Sequence, residues 1–193
     1  VIVLEPDPQS PAGQLADQHL RAAYADEQAL TQFGQQCDVI TTEFENIPAQ
    51  TLEFLTQFCP VRPSASAVQV AQDRIVEKEF VRSCGLSPVP FAPIRQLEDI
   101  PSACTQITFP AILKTARLGY DGKGQVTVNN PAEVELAFQQ LNSVACVLEQ
   151  RVDLEQEISV VLARSVSGEM QCFPIAENLH RQGILHQTLV PAR

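Results

Sequence analysis

The stretch Pro110-Ala111-Ile112-Leu113-Lys114-Thr115-Ala116-Arg117-Leu118-Gly119-Tyr120-Asp121-Gly122-Lys123-Gly124-Gln125 decides the reading of this 193-residue chain. Its first part is an apolar strand that ends in a lysine, and the loop that follows carries glycine at 119, 122 and 124. Ile112 and Leu113 seat Lys114 at the end of a buried strand, while the glycines permit backbone conformations in which successive amides converge on an anion. Only three lysines occur in the chain, and Lys114 and Lys123 both fall here. Taken alone, the segment reads either as a phosphate grip or as a β-hairpin turned at Asp121-Gly122. Neither the Walker A spacing nor a G-x-G-x-x-G is present, so the surrounding residues must decide.

The composition narrows the choice of ligand. A formal net charge of −10 disfavours a broad nucleic-acid surface, which needs clustered Lys and Arg, so an anionic ligand must be small and locally gripped. With 45% hydrophobic residues the chain has ample material for a packed core, and its length suits one or two domains. No apolar stretch approaches the ~20 residues of a membrane span, and no signal-like segment opens the chain, which points to a cytoplasmic protein with no membrane partner. Cys37, Cys59, Cys84, Cys104, Cys146 and Cys172 show no C-x-x-C and no short paired spacing. They read as reduced core thiols rather than a zinc site or a disulfide framework. The chain opens on the apolar run Val1-Ile2-Val3-Leu4 and stops shortly after another, as expected of a segment continued at both ends.

Upstream of the glycine loop, strands and helices alternate. Residues 1–4 read as a strand, 12–20 and 26–34 as helices, 37–42 as a second strand and 48–58 as an amphipathic helix begun near Pro48. Such alternation implies a parallel sheet, hence an α/β fold. Glu43 and Glu45 lie two apart at the end of the second strand. Their side chains are therefore expected to share a face, where ligands of open α/β sheets gather, with Glu43 the preferred contact. Glu5 and Asp7 follow the first strand in a similar way, but Pro6 and Pro8 make a rigid connecting turn the better explanation. Residues 64–84 carry helix signals, with Ser64 and Ser66 as candidate caps and Gly85 as the stop. The proline-rich run 86–90 then marks a domain boundary.

Beyond the boundary the character is α+β. Strands are expected near 110–115, 125–129, 145–150, 156–164 and 170–176, with one helix over 131–141 started by Asn130-Pro131. Two small subdomains are expected to meet near 150–155.

A set of residues in this order resembles the ATP-grasp enzymes. It comprises Arg74 in Gln-Asp-Arg-Ile-Val-Glu-Lys, Lys114 in Ile-Leu-Lys-Thr, the loop from Gly119 to Gln125, Glu149-Gln150-Arg151-Val152, Glu157 in Gln-Glu-Ile-Ser-Val, and Glu177-Asn178-Leu179-His180 followed by Gly183-Ile184-Leu185. Within that superfamily the chain is most similar to the N5-carboxyaminoimidazole ribonucleotide synthetases of purine biosynthesis. The combination of Gly-Tyr-Asp-Gly-Lys-Gly-Gln with Glu-Asn-x-His-x-x-Gly-Ile-Leu is far more specific than either part.

The resemblance implies an ATP-grasp fold, with a partial Rossmann-like pre-ATP-grasp domain over 1–63, a connecting helix over 64–86, and most of the ATP-grasp domain over 87–193. It implies ATP-dependent carboxylation of 5-aminoimidazole ribonucleotide by bicarbonate, through carboxyphosphate. Arg74 and Lys114 are then expected at the ATP phosphates or the nucleotide face. Gly119, Tyr120, Asp121, Gly122, Lys123, Gly124 and Gln125 form a lid over the phosphates, and Tyr120 and Asp121 also reach the ribonucleotide. Glu149, Gln150, Arg151 and Val152 form the hinge at the adenine, Glu157 accepts from the ribose hydroxyls, and His180 lies near ATP. No residue is assigned as catalytic or as a metal ligand, since acidic ligands for Mg2+ are expected beyond residue 193. Self-association as a homodimer stays open. So do two other functions, a different ATP-grasp ligase such as a transformylase or biotin-type carboxylase, and a non-catalytic nucleotide-binding module.

Overall fold

Strand β1 (Ile2–Leu4), helix α1 (Pro11–Leu15) and strand β2 (Gln18–Leu20) open the first of two units, Val1–Ser87. The structure is a computed structural model and describes residues 1–119, 123–181 and 183–193. The Ser10 hydroxyl caps α1 by accepting from the Gly13 amide, with Pro11 in the first turn. The helix expected over 12–20 is thus shorter. At Ala16 the backbone turns extended, and Gln18, His19 and Leu20 pair in parallel with Ile2, Val3 and Leu4. The free edge of β1 satisfies these backbone groups, and that tertiary pairing overrides the local pattern.

Helix α2 (Glu27–Gln35) starts at Asp26, whose carboxylate accepts from Gln28 and Ala29. The strand expected over 37–42 is reduced to β3 (Ile40–Thr41), because the Cys37 amide still bonds to the Gly34 carbonyl at the helix exit. After α3 (Ala49–Leu55), strand β4 (Val61–Arg62) runs parallel to β3. Leu30, Ile40, Leu52, Leu55 and Val61 lie at the centre of this unit's core.

Residues 64–86 are not one helix but two, α4 (Ala65–Ala71) and α5 (Arg74–Ser83). Ser64 caps the first, and Asp73 interrupts the run by turning its carboxylate onto the Ile75 and Val76 amides, which starts the second. Beside the break, the buried Gln72 donates to the carbonyls of Glu45 and Ile47, both at 2.5 Å, and clamps the 45–47 turn. Gly85 follows α5 at φ +81°, the left-handed stop that glycine accepts.

The second unit, Pro88–Arg193, is built on an antiparallel sheet. Its elements are β5 (Phe91–Ile94), α6 (Ile100–Gln106), β6 (Ala111–Thr115), β7 (Gln125–Val128), α7 (Val134–Gln140) and β8 (Cys146–Gln150), with strand order β5-β8-β6-β7. Sequence reading missed β5 and α6, whose short elements sit among Pro93 and Pro101. Register assigns the two faces of the sheet. Ala92, Ile94, Ala111, Leu113, Val128, Cys146 and Leu148 turn to a core closed by α6 and α7, with Phe138 of α7 and Val134 almost fully buried. Phe91, Ile112, Lys114, Val147 and Glu149 turn to the opposite face.

The rest of this unit is strand. β9 (Glu157–Ser159), β12 (Ala176–Arg181) and β13 (Ile184–Leu189) form a three-stranded antiparallel sheet, while β10 (Leu162–Arg164) pairs with β11 (Met170–Cys172). The single strand expected over 156–164 is therefore two, in different sheets. Among the described residues from 151 onward only Glu177 is buried. All six cysteines are unbridged, but not all are core thiols: Cys146 is buried, Cys37, Cys59 and Cys104 are half-buried, and Cys84 and Cys172 are exposed. Burial pushes the Cys146 thiol up to about 11, which keeps it protonated and inert. No helix among the described residues is long and apolar enough to cross a membrane.

Candidate functional site

Lys114 is the next-to-last residue of β6, and Glu149 the next-to-last of β8. Ile112 stands opposite Glu149 and Lys114 opposite Val147, so lysine and glutamate are diagonal neighbours on one face. Their side chains close an ion pair at 2.8 Å, with the glutamate side chain 8% exposed and the lysine 26%. This juxtaposition of residues 35 apart in sequence gathers the strand lysine and the expected hinge. Beyond the pair, the Gln150 and Arg151 amides already donate to the carbonyls of Pro90 and Pro110. Those two donors are used within the fold, which restricts any backbone reading of a base by this segment to its other groups. Arg151 and Val152 lie past the strand and are exposed.

The glycine-rich segment joins β6 to β7 in an antiparallel pair, Lys114 opposite Gln125, with the Thr115 amide bonded to the Gly124 carbonyl at 2.8 Å. Tyr120, Asp121 and Gly122 lie outside the described residues. Gly124 has φ +71°, and a Cβ there would lie 2.7 Å from Thr115 Oγ1. Alanine at 124 thus meets both left-handed strain, about 1–2 kcal/mol, and a close contact. We expect Gly124→Ala to lower the stability of this unit by at least that amount in denaturant unfolding; unchanged stability would show that the turn is not held in this form.

Glu157 and His180 meet on the three-stranded sheet. Glu157 pairs with Asn178 across β9 and β12, and His180, two residues further on the same face, places Nδ1 2.7 Å from a Glu157 carboxylate oxygen. A hollow of about 230 Å³ opens beside them, lined by residues 154–157 and 177–180. The carboxylate and imidazole therefore orient each other at its rim.

Glu177, which opens the Glu-Asn-Leu-His motif but was given no role on sequence, anchors the same strand. The buried Glu177 accepts from Arg193 three times: from Nη2 at 3.0 Å, Nε at 3.2 Å and the backbone amide at 3.3 Å. The Arg193 side-chain hydrogen bonds, then its backbone amide, hold the Glu177 carboxyl below its ordinary 4.5, against the opposing effect of burial. Because the folded value is lowered, this tie stabilises the fold above the ordinary value and is lost as pH falls through the folded one. NMR titration should find a Glu177 midpoint below 4.5 that rises in Arg193→Ala; the same midpoint in both proteins would remove Arg193 as the cause.

Arg74, Glu43 and Glu45 belong to the first unit. Arg74 opens α5 and is half-buried. Strand β3 ends at Thr41, so Glu43 and Glu45 sit in the following turn, and strand alternation does not put them on one face. Glu43 lines a hollow of about 310 Å³ with Glu5, Tyr24, Thr42 and Phe44, a lining that does not include Glu45. Here Glu5, set aside on sequence as part of a rigid turn, accepts the Tyr24 hydroxyl. Burial, followed by that bond to Glu5, pushes the phenol above its ordinary value. Among the described residues no group of three or more His, Cys, Asp or Glu could hold a metal ion.

The chain matches two family models in tandem, the ribonucleotide synthetase preATP-grasp domain over residues 1–72 and the ATP-grasp domain over 79–193. It is 41% identical over all 193 residues to the N5-carboxyaminoimidazole ribonucleotide synthase of Staphylococcus aureus strain COL, covering 52% of that protein. It is also 42% identical over 182 residues, 94% of the chain, to the synthase of the same name from Pseudomonas aeruginosa strain PAO1, covering 50% of it. Among solved structures, the Staphylococcus aureus N5-carboxyaminoimidazole synthetase complexed with ADP matches the whole chain and 52% of its own, with a TM-score of 0.93 at 41% identity. The chain spans about half the length of the curated relatives it matches.

Proposed function

This chain belongs to the ATP-grasp family, and on that premise we propose that it acts as part of a ligase that carboxylates 5-aminoimidazole ribonucleotide with bicarbonate and ATP. The products are N5-carboxyaminoimidazole ribonucleotide, ADP and phosphate. The observation that carries this reading is the 41% identity over the whole chain, through both domains, to a relative of that name. Bicarbonate is a poor electrophile, so ATP first converts it to carboxyphosphate, whose phosphate then leaves as the substrate amine attacks.

In this reading Lys114 offers a fixed positive charge to the nucleotide phosphates, and the 119–125 loop closes over them. Glu157 accepts from the ribose hydroxyls while His180 holds its carboxylate in place, and residues 149–152 border the base. Arg74 contributes a second cation. Tyr120 and Asp121 meet the imidazole ribonucleotide, and Glu43, in its hollow at the end of β3, is a better candidate for substrate contact than Glu45. Magnesium, when bound, would neutralise charge on the transferring phosphoryl group. The described residues offer no cluster of His, Cys, Asp or Glu that fits it. A cytoplasmic location and a homodimer belong to the same proposal.

ADP release from the protein expressed from its full reading frame tests the reading. 5-Aminoimidazole ribonucleotide with bicarbonate should stimulate turnover, and Asp121→Asn should impair that stimulation while leaving ATP affinity largely intact. Stimulation by glycinamide ribonucleotide with formate, or by biotin, would identify a different ligase. ATP binding without any turnover would identify a binding module.

A further inference from the structure

Glu149 is only 6% exposed, and its neighbours in register are Phe91 on β5 and Ile112 on β6. A carboxylate taken from water into such surroundings stays charged only if a counter-charge and hydrogen bonds replace the lost solvation. Lys114 supplies one such partner at 2.8 Å. The benefit is mutual. A lysine side chain is a flexible four-carbon stem that gives up much rotamer freedom when fixed, and a strand-end lysine facing solvent would otherwise sample many positions.

We propose that Glu149 is the positioning residue for Lys114. It holds the ammonium against the sheet in the nucleotide-free protein, so that an incoming phosphate meets a cation whose ordering has already been completed. An ammonium carries three donors, so the bond to Glu149 does not exhaust it. The functional part of this inference rests on the reading of Lys114 as a ligand of nucleotide phosphate; the positioning itself does not.

The chain has lysine only at 78, 114 and 123, which makes the ordering directly measurable. Trace acetylation with acetic anhydride, read by peptide mass spectrometry without nucleotide, reports each amine against the other two. In Glu149→Gln the acetylation rate of Lys114 should rise about tenfold while Lys78 and Lys123 keep theirs, and calorimetry should find ATP bound about tenfold more weakly, a change of about 1.4 kcal/mol. Glu149→Asp retains the charge but is shorter by one methylene, and should fall between the two; it carries the test if Glu149→Gln does not fold.

An unchanged Lys114 rate in a folded variant overturns the proposal, as does an equal rise at all three lysines, which would mean general loosening. A selective rise at Lys114 with unaltered ATP affinity overturns the claim that the ordering serves the nucleotide. Wild-type protein that fails to bind ATP sinks the functional reading instead, and the acetylation pattern still decides whether Glu149 positions Lys114.

Discussion

Lys114→Ala is expected to lower the stability of the second unit by about 3 kcal/mol, because it leaves the buried Glu149 carboxylate without its lysine. The low end of the range for broken buried pairs applies, since the lysine side chain is 26% exposed and water partly screens the pair. The same substitution should weaken ATP binding by about 1.5 to 3 kcal/mol, the scale of a lost hydrogen bond to a charged group. Urea unfolding and calorimetry separate the two effects. Replacing both residues, Lys114→Met with Glu149→Leu, should recover most of the stability and none of the binding, because an apolar pair needs no counter-charge. Full ATP affinity in Lys114→Ala would exclude the lysine as a phosphate ligand, and a double variant no more stable than the single one would exclude the buried pair as the cause of the loss.

Phe138→Ala is expected to cost about 4 kcal/mol, the scale of a large aromatic removed from a sealed core. Phe138 is 1% exposed and lies with Leu113, Val128 and Leu148 in the cluster behind the sheet, where α7 contacts β6 and β7. Its side chain touches the face opposite to Lys114 and Glu149. Loss of ATP binding in this variant should therefore follow the fraction of protein unfolded, and should be restored at temperatures where the variant remains folded. A loss below about 1 kcal/mol would mean that the sheet is not held from behind by this helix.

Much of the local structure was legible because local chemistry determines it. Ser64 and Gly85 bracket the region between them through their own backbone preferences, and the short apolar run Ile112-Leu113 between Pro110 and the glycine-rich loop is too brief for a helix and reads as a strand. The errors fall where long-range pairing overrides a local pattern. Gln18, His19 and Leu20 carry a helical signal but complete the edge of β1. The helix expected through 64–84 is broken by one carboxylate, that of Asp73, which prefers the amides of a new helix start to continuing the old one. Strand β4, only two residues long, is too short to show any periodicity.

By itself the sequence determined the two strands that flank the glycine-rich loop, the strand seat of Lys114, and the family. Only the tertiary structure decided which charged residues face each other. In β6 and β8 both faces carry apolar side chains, so alternation alone does not say whether Lys114 shares a face with Glu149; the pairing of Ile112 with Glu149 settles it. The pairing of His180 with Glu157 and the enclosure of Glu177 by Arg193 depend in the same way on partners 23 and 16 residues away along the chain. A one-residue slip in register would leave every local signal in place and turn each strand's side chains to the opposite face, because strand side chains alternate with a period of two while local propensity is blind to the partner strand.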